Sequence, residues 1–437
     1  MKEKCGLFGL FLNSATEQCI YDVISGLELL QHRGQEGAGL AFTDNNKIVL
    51  KKGLGLVNDV FNDLDLNVKS NKCIGHVRYS TSGNSKTNIL SQLNECQPLK
   101  GRSKGTDFYL AHNGNIPQIK EHDTQYIINF LEKNNNSLEN NLINLLELIP
   151  VAYCLLIITN NEIYVVRDRY GIRPLSIGFL NKDICITSET CALGKYNFLR
   201  DVLPGEIIKI NDLGLQTLYK SSDTRLSICA LEFIYFMRPN SFSHGMYVAD
   251  VRKKLGIIMA NKEDLDLSSN EYVVIGIPFS GILYGQAYAE KLNLPYKQLI
   301  NKAYNKRTFI APTNKERSIL CSKKFIFDYY LLKDKKIIII DDSIVRGNVI
   351  KTITNKLYNI GVKEIHVRIP SPSIIDRCQL GIDIVSKEEL LAVNKKTEDI
   401  AKILNVNSIK YLTCKELKTV IPENSYMECF GEQNTFI

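Results

Sequence analysis

KKIIIIDDSIVRGNVIKTITNKL, at residues 335–357, has the pattern of a buried strand, a tight turn and an amphipathic helix. Asp341 and Asp342 follow the isoleucine run, and Gly347 ends the turn. Ligands of an open parallel sheet bind beyond the carboxyl ends of the strands, so both carboxylates are expected in that crevice. The backbone N–H groups of residues 343–348 and the positive helix end favour a phosphate, and the carboxylates suit sugar hydroxyls or Mg²⁺. An acidic turn that only caps a helix is the alternative, but the β-branched run favours the phosphate site.

The two halves of the chain differ in their strand patterns. Short β-like runs such as KCIGHVRYS and VAYCLLIIT, separated by Gly or Asn turns, fill the first half. Beyond residue 245, EYVVIGIP and KEIHVRIPS join the isoleucine run as short buried strands beside helix-length amphipathic segments. The pattern predicts an antiparallel α+β domain at 5–225, with helices on its sheet faces, and a parallel α/β domain at 226–437. The polar stretch at 214–226 is either a linker or a surface strand.

Composition narrows the class of protein. The 437 residues are 44% apolar, and none of their apolar runs approaches the ~18 residues that a membrane helix needs. The net charge of +7 is modest and the charges are interleaved, so small anionic substrates fit better than nucleic acid. The 12 cysteines lack the spacing of a disulfide framework, which predicts reduced thiols and a cytoplasmic protein.

A cysteine near the start of the chain is the candidate nucleophile. For Cys5 alone, a small buried hydrophobe is the ordinary interpretation. Three other stretches place polar groups beside glycine at strand ends, namely QHRGQEGAG (31–39), GHVRYSTSG (75–83) and LAHNGN (110–115). Arg78 suits a carboxylate, and Asn113 with the Gly114 N–H suits an oxyanion. No histidine stands out as a base, so we expect removal of residues 1–4 to free the α-amino group of Cys5 for that role.

These motifs resemble two known domains. DDSIVRG resembles the signature of the type I phosphoribosyltransferases, and the N-terminal stretches resemble the N-terminal-nucleophile glutamine amidotransferase domain, whose sheets are sandwiched between helices. From Cys5 to about residue 430, the chain resembles the amidophosphoribosyltransferase family. The further matches are YDVISGLELLQHRGQEGAG, GLVNDVF, RDRYGIRPL, ITSE, LPGEII, CALEFIYFMRPNSF and KRTFIAP. The resemblance implies that glutamine-derived ammonia displaces pyrophosphate from phosphoribosyl pyrophosphate, giving 5-phosphoribosylamine in the first committed step of purine synthesis.

The resemblance also implies residue roles. Cys5 would attack the glutamine amide, and Asn113 with Gly114 would stabilise the oxyanion. Arg78 and Asp123 would bind the α-carboxylate and α-amino groups. The ammonia would cross a closed apolar passage. The residues implied for phosphoribosyl pyrophosphate are Arg307 and Thr308 of a closing loop, Asp341, Asp342, Ser343, Arg346, Gly347 and Asn348. The positions implied for Mg²⁺ are Ser280, Asp341 and Asp342.

The chain departs from the family pattern around the phosphoribosyl site. Phe279 stands where an acid is usual, and Asn348 and Val349 stand where a threonine pair is usual. Ala303 and Cys321 stand where arginines are usual, and Lys302 and Lys306 are candidate substitutes for the arginine missing at 303. Charge-assisted contacts contribute about 1.5 to 3 kcal/mol each, so these changes are expected to weaken substrate binding.

Some members of the family hold a [4Fe–4S] cluster on four cysteines. Three positions match, at Cys229, Cys378 and Cys429, while Tyr426 takes the fourth. Such clusters prefer soft ligands, so a phenol substitutes poorly for a thiolate. The sequence leaves the cluster undecided.

Two other functions compete with this interpretation. Glucosamine-6-phosphate synthase shares the glutaminase motifs but joins them to sugar-isomerase domains, which IIIIDDSIVRG argues against. A ribose-phosphate or nucleotide sensor without turnover is motivated by Phe279, Ala303 and Cys321, although a complete glutaminase half favours an enzyme. We expect purine nucleotides as feedback inhibitors, a homo-oligomer, and neither nucleic-acid nor membrane partners.

Overall fold

The computed structural model describes residues 5–62, 67–79, 89–117, 119, 122–133, 136–268, 271–302, 325–380 and 386–433. In these ranges, none of the helices has the length and apolar character needed to cross a membrane. Every cysteine within them is a free thiol.

The first half of the chain is rich in strands. These are β1 Gly6–Thr16, β2 Gly37–Asp44, β3 Lys47–Leu54, β4 Ser70–Arg78, β5 Leu99–Ser103, β6 Thr106–Gly114, β7 Tyr153–Ile158, β8 Ile163–Arg167, β9 Ser176–Leu180, β10 Asp183–Thr187, β11 Asn197–Asp201, β12 Glu206–Asn211 and β13 Gly214–Lys220. The helices are α1 Gln18–Leu29, α2 Val57–Phe61, α3 Ile89–Glu95, α4 Asp123–Lys133 and α5 Leu138–Leu148.

Within the described residues, these strands form two antiparallel sheets that face each other. Their orders are β11-β9-β10-β1-β4-β2-β3 and β13-β12-β8-β7-β6-β5. Leu7 and Ile74 of the first sheet share a core with Ala111 and Leu156 of the second. Phe8 lies on the other face of β1, because successive strand side chains alternate, and packs in the cluster that contains α1. Helices α4 and α5 cover the outer face of the second sheet, so the predicted helix-covered sandwich is confirmed.

The second half combines short strands with longer helices. Its strands are β14 Phe242–Ser243, β15 Met246–Tyr247, β16 Tyr272–Gly276, β17 Ile300–Lys302, β18 Phe325–Phe327, β19 Lys336–Ile340, β20 Glu364–Ile369 and β21 Ser408–Tyr411. Its helices are α6 Val248–Asn261, α7 Ile282–Lys291, α8 Tyr329–Leu332, α9 Asn348–Ile360, α10 Thr397–Leu404 and α11 Cys414–Lys418, and a π-helical turn spans Glu232–Phe236.

The isoleucine run forms the second strand of a parallel sheet with the order β16-β19-β20-β21. Ile338 and Ile340 face a cluster that includes residues of α6 and α7. Ile337 and Ile339 face the opposite cluster, which includes residues of α9 and α10. Both faces of the strand are therefore buried, which explains why its sequence is continuously apolar rather than alternating. The predicted parallel α/β domain is confirmed.

The two halves meet at a shared core. Gly214–Lys220 is the edge strand β13, so the first part of the polar stretch is a surface strand. Farther along, Phe233 and Ile234 pack with the parallel sheet, and Val151 and Ile172 of the first half join the same cluster. The predicted boundary between residues 225 and 226 stays a prediction.

Candidate active sites

Cys5 lies at the start of β1, immediately before the strand enters the sheet. Its Sγ is 3.5 Å from both the carbonyl oxygen and the amide nitrogen of Tyr79, and these are its hydrogen-bond partners within the described residues. Burial raises the pKa of the thiol to about 11, while the charge of Arg78 lowers it and that of Asp123 raises it. The structure thus brings three of the predicted glutaminase residues together. Residues 1–4, whose removal the sequence predicts, lie outside the described residues.

Asn113 and Gly114 end strand β6, opposite Cys154 and Tyr153 of β7. A Cβ on Gly114 would lie 2.1 Å from the carbonyl oxygen of Ala152, so this close approach requires glycine. The end of β6 is therefore fixed against β7, with the Asn113 side chain buried.

A serine that the sequence analysis did not single out connects Asn113 to the nucleophile strand. The Ser188 Oγ accepts a hydrogen bond from the Leu7 N–H at 2.9 Å and lies 3.5 Å from Asn113 Nδ2. The Ser188 N–H in turn donates to the Leu7 carbonyl at 3.0 Å. Ser188 belongs to the ITSE motif match, but a serine after a strand has no chemical signature that predicts this role.

Arg78 and Asp123 are both buried at the ends of secondary-structure elements. Arg78 ends β4 and forms an ion pair with Glu95. Its Nη1 lies 3.9 Å from Glu36 Oε2. Asp123 begins α4, where its Oδ1 accepts the Thr124 N–H at 2.9 Å. Its Oδ2 is buried and has no hydrogen-bond partner among the described residues, which suits it to accept from a ligand. A guanidinium and a carboxylate near one thiol match the two charges of an amino-acid substrate.

A second site lies where the parallel strands end. A cavity of about 1400 Å³ is lined by Ser280 and by residues 341–348, which include every predicted phosphoribosyl-site residue in the described ranges. Gly347 precedes α9 with a left-handed φ of 75°, which allows the tight turn before the helix. Arg307 and Thr308 lie outside the described residues, as do Ala303 and Cys321.

The acidic pair fits a divalent cation. Ser280 Oγ donates to Asp341 Oδ1 at 2.7 Å, and Ser343 Oγ donates to Asp342 Oδ2 at 2.5 Å. Burial and the neighbouring Asp342 charge raise the pKa of Asp341 well above its usual value. A cation would relieve this repulsion, and Mg²⁺ is usually bound by one or two carboxylates together with substrate phosphates.

Several basic residues line the cavity without having been predicted. They are His32, Arg238, Arg252 and Lys351. Arg346, which was predicted, forms an ion pair with Glu389 on the cavity wall. Lys302 Nζ lies 5.2 Å from the ring centroid of Phe279, whose side chain is exposed. Isolated lysines and arginines carry no motif, so only the fold identifies them as a basic lining suited to a polyphosphate.

One of the four positions that match the family's iron–sulfur cysteines is occupied by a tyrosine, Tyr426. Tyr426 pairs with Cys229 in an isolated parallel bridge, and its hydroxyl bonds to Glu428. Burial raises the pKa of Tyr426, as do the nearby thiols of Cys378 and Cys229. In the described ranges, His, Cys, Asp and Glu side chains form no group of three that could hold a metal ion. These positions supply three thiols and one phenol, which do not match the four soft ligands that such a cluster prefers.

Comparison with known proteins places this architecture in a family. A model described as the phosphoribosyl transferase domain matches residues 248–370. The amidophosphoribosyltransferase of Bacillus subtilis (strain 168) is 36% identical, covering 95% of this chain and 89% of the relative. The chain belongs to the amidophosphoribosyltransferase family. The Methanocaldococcus jannaschii amidophosphoribosyltransferase is 35% identical, covering 95% of this chain and 94% of the relative.

Two solved structures share the fold over nearly the whole chain. The B. subtilis phosphoribosyl pyrophosphate amidotransferase complexed with ADP and GMP superposes with a TM-score of 0.85 and 34% identity, covering 98% of this chain and 95% of that chain. A structure described as the allosteric regulatory enzyme of purine biosynthesis gives 0.88 and 34%, covering 98% and 96%. The family, fold class and enzyme function that the sequence predicted are confirmed.

Proposed function

We propose that this chain transfers ammonia from glutamine to C1 of phosphoribosyl pyrophosphate, producing 5-phosphoribosylamine, pyrophosphate and glutamate. The observation that carries the proposal is the pairing of two sites in one chain: a thiol beside Arg78 and Asp123, and a basic cavity beside an acidic pair. Neither site alone requires the other, whereas a glutaminase joined to a phosphoribosyl site explains both.

The glutaminase reaction follows from the groups around Cys5. The thiol attacks the amide carbon, its proton passes to the freed α-amino group and then to the departing ammonia, and a thioester forms. Water then hydrolyses the thioester to glutamate. Asn113 Nδ2 and the Gly114 N–H stabilise the oxyanion, whose negative charge is absent from the bound amide. Arg78 and Asp123 hold the substrate by its α-carboxylate and α-amino groups.

The transfer reaction occurs at the end of the parallel sheet. The turn at 343–348 and the N-terminus of α9 bind the 5-phosphate through backbone N–H groups. Ser280, Asp341 and Asp342 would hold Mg²⁺, which would neutralise pyrophosphate charge. Ammonia attacks C1, and pyrophosphate leaves with the bonding electron pair. Arg307 and Thr308 would close over the substrate and exclude water, which protects the ammonia that arrives through an apolar passage.

Regulation and assembly extend the proposal. The B. subtilis relative is complexed with ADP and GMP, which supports inhibition of this chain by purine nucleotides. We also propose a homo-oligomer and a cytoplasmic location, the latter in keeping with the free thiols of the described residues. Inhibition by added nucleotides and sedimentation of the purified chain test the first two statements.

A coupled assay tests the reaction. Purified protein receives phosphoribosyl pyrophosphate, Mg²⁺ and either glutamine or ammonia, and the released pyrophosphate and glutamate are both measured. We expect pyrophosphate with either nitrogen source, and loss of only the glutamine reaction in Cys5→Ala. Cys414→Ala is the matched control, because this thiol lies away from the site and contacts the Phe430 carbonyl at 3.9 Å. Substrate binding without pyrophosphate release from either source would identify a sensor instead.

A further inference from the structure

A buried arginine connects the candidate nucleophile to the other half of the chain. Arg33 follows α1 and is 1% exposed. Its Nε donates to the Cys5 carbonyl at 3.1 Å. Its two Nη atoms donate to the two carboxylate oxygens of Glu232 at 3.1 Å each, 199 residues away. One planar guanidinium therefore holds the backbone of Cys5 and a bidentate partner at the same time, which lysine cannot do.

The partner of this arginine is fixed by the core of the parallel domain. Glu232 begins the π-helical turn, and the next residues, Phe233 and Ile234, pack in the cluster beneath the parallel sheet. The same turn continues into Tyr235 and Phe236, which line the phosphoribosyl cavity. Through Arg33, the other half of the chain thus helps to fix the position of the Cys5 backbone.

A second carboxylate completes the arrangement. Glu189 is buried, pairs with Arg33, and accepts from His32 Nε2 at 2.9 Å and from the Arg238 N–H at 2.8 Å. His32 and Arg238 both line the cavity. Although burial opposes ionisation, His32 and Arg33 hold the pKa of Glu189 below its usual range. Nη1 of the buried Arg173 lies 3.9 Å from Glu232 Oε1. The cluster therefore contains two arginines, Arg33 and Arg173, and two carboxylates, Glu189 and Glu232.

We propose that Arg33 is a positioning residue for Cys5, and that Glu232 holds Arg33 in the orientation that glutamine hydrolysis requires. This inference rests on the proposed role of Cys5 as the nucleophile. It makes the glutaminase rate dependent on a carboxylate that belongs to the other half of the chain. The competing interpretation is that the four charges only balance one another in the interior.

Three variants separate these interpretations. Arg33→Lys keeps the charge but loses the planar guanidinium that donates to two partners at once. Glu232→Gln keeps the shape of the side chain but loses its charge. Arg33→Met combined with Glu232→Met removes one charge of each sign. Glutamate release should fall about 10- to 100-fold in kcat for all three, since small misplacement of a reacting group costs about that much. The KM for glutamine should change little, because Arg78 and Asp123 remain. Ammonia-dependent synthesis should persist.

The matched control is a comparable pair far from the thiol. The side chains of Arg368 and Glu263 are buried, and Arg368 Nε donates to Glu263 at 2.7 Å. Arg368→Lys should lower the unfolding temperature without lowering the kcat of glutamine hydrolysis. This comparison distinguishes lost stability from lost positioning.

The outcomes decide between the two interpretations. If Arg33→Met combined with Glu232→Met has the unfolding temperature and the glutaminase kcat of the wild type, the cluster only balances charge and the inference is wrong. Wild-type kcat in Glu232→Gln would also overturn it, and this variant carries the test if Arg33→Lys does not fold. Glutaminase activity in Cys5→Ala would instead contradict the proposed nucleophile, which makes the two failures distinguishable.

Discussion

Ser280 Oγ donates a hydrogen bond to Asp341 Oδ1 over 2.7 Å, although 61 residues separate them. The serine follows β16 and the aspartate follows β19, and these two strands are parallel neighbours. Parallel pairing brings the carboxyl ends of both strands to one edge of the sheet. The contact is therefore a direct consequence of topology, and it places a hydroxyl beside the acidic pair.

Replacing that pair tests the phosphoribosyl site. Asp341→Asn with Asp342→Asn keeps the shape of the turn but removes the anionic acceptors for Mg²⁺ and ribose hydroxyls. We expect the double variant to fold and to hydrolyse glutamine at a basal rate. It should release no pyrophosphate with glutamine or ammonia, and should lose any stimulation of glutaminase by phosphoribosyl pyrophosphate. Near-normal phosphoribosylamine formation would refute the assignment.

The control for this experiment removes two exposed charges elsewhere. Glu398 and Asp399 lie in the first turn of α10 and are solvent-exposed. Glu398→Gln with Asp399→Asn should leave both reactions close to wild type, because exposed charges contribute little to stability.

The oxyanion prediction concerns Asn113. Removing one such donor typically lowers turnover about 10²- to 10³-fold, so Asn113→Ala should reduce the kcat of glutaminase far more than it raises KM. Steady-state measurement of glutamate release provides both constants. Asn115→Ala is the control, since its Nδ2 donates to the Gln379 carbonyl at 3.2 Å instead. A higher KM for glutamine with an unchanged kcat would assign Asn113 to substrate binding.

Maturation can be tested by mass. Burial raises the pKa of the Cys5 thiol to about 11, so the thiol needs a base near neutral pH. An α-amino group with a reference pKa of about 7.7 to 8.0 supplies one after residues 1–4 are removed. Intact-mass measurement of active protein should show a chain that begins at Cys5. A fully active preparation that retains Met1 would exclude the α-amino mechanism.

A buried histidine should make stability depend on pH. Burial, together with the charges of His112 and Arg78, lowers the pKa of His76 from 6.5 to about 3. The unfolded chain then binds a proton near pH 6.5 that the folded chain does not bind. The stabilisation is complete above pH 6.5 and decreases by about 1.4 kcal/mol per pH unit as the pH falls toward 3.

Urea unfolding of His76→Phe measures this contribution. Between pH 7 and pH 5, the wild type should lose about 2 kcal/mol more unfolding free energy than the variant, because only the wild type carries this histidine. An equal pH dependence in both proteins would show that the pKa of His76 is the same in the folded and unfolded chain.

Local sequence determined the elements that contain the phosphate site. Consecutive isoleucines favour a strand buried on both faces, and the glycine with φ of 75° permits the turn before α9. These are interactions between near neighbours, so a short stretch is enough to predict them. The candidate residues Cys5 and Asn113 were found in the same way, each beside glycine at a strand end, and Arg78 ends a strand that contains Gly75.

Tertiary structure alone decided which distant groups share an environment. The ion pair of Arg33 with Glu232, the hydrogen bonds of Ser188 and the basic lining that includes Lys351 have no signature in sequence. Each depends on which side chains packing removes from water, and that is set by two facing sheets and a parallel sheet joined through one core. The sequence shows that residue 33 carries a charge, but only the fold buries its guanidinium beside its carboxylate partners.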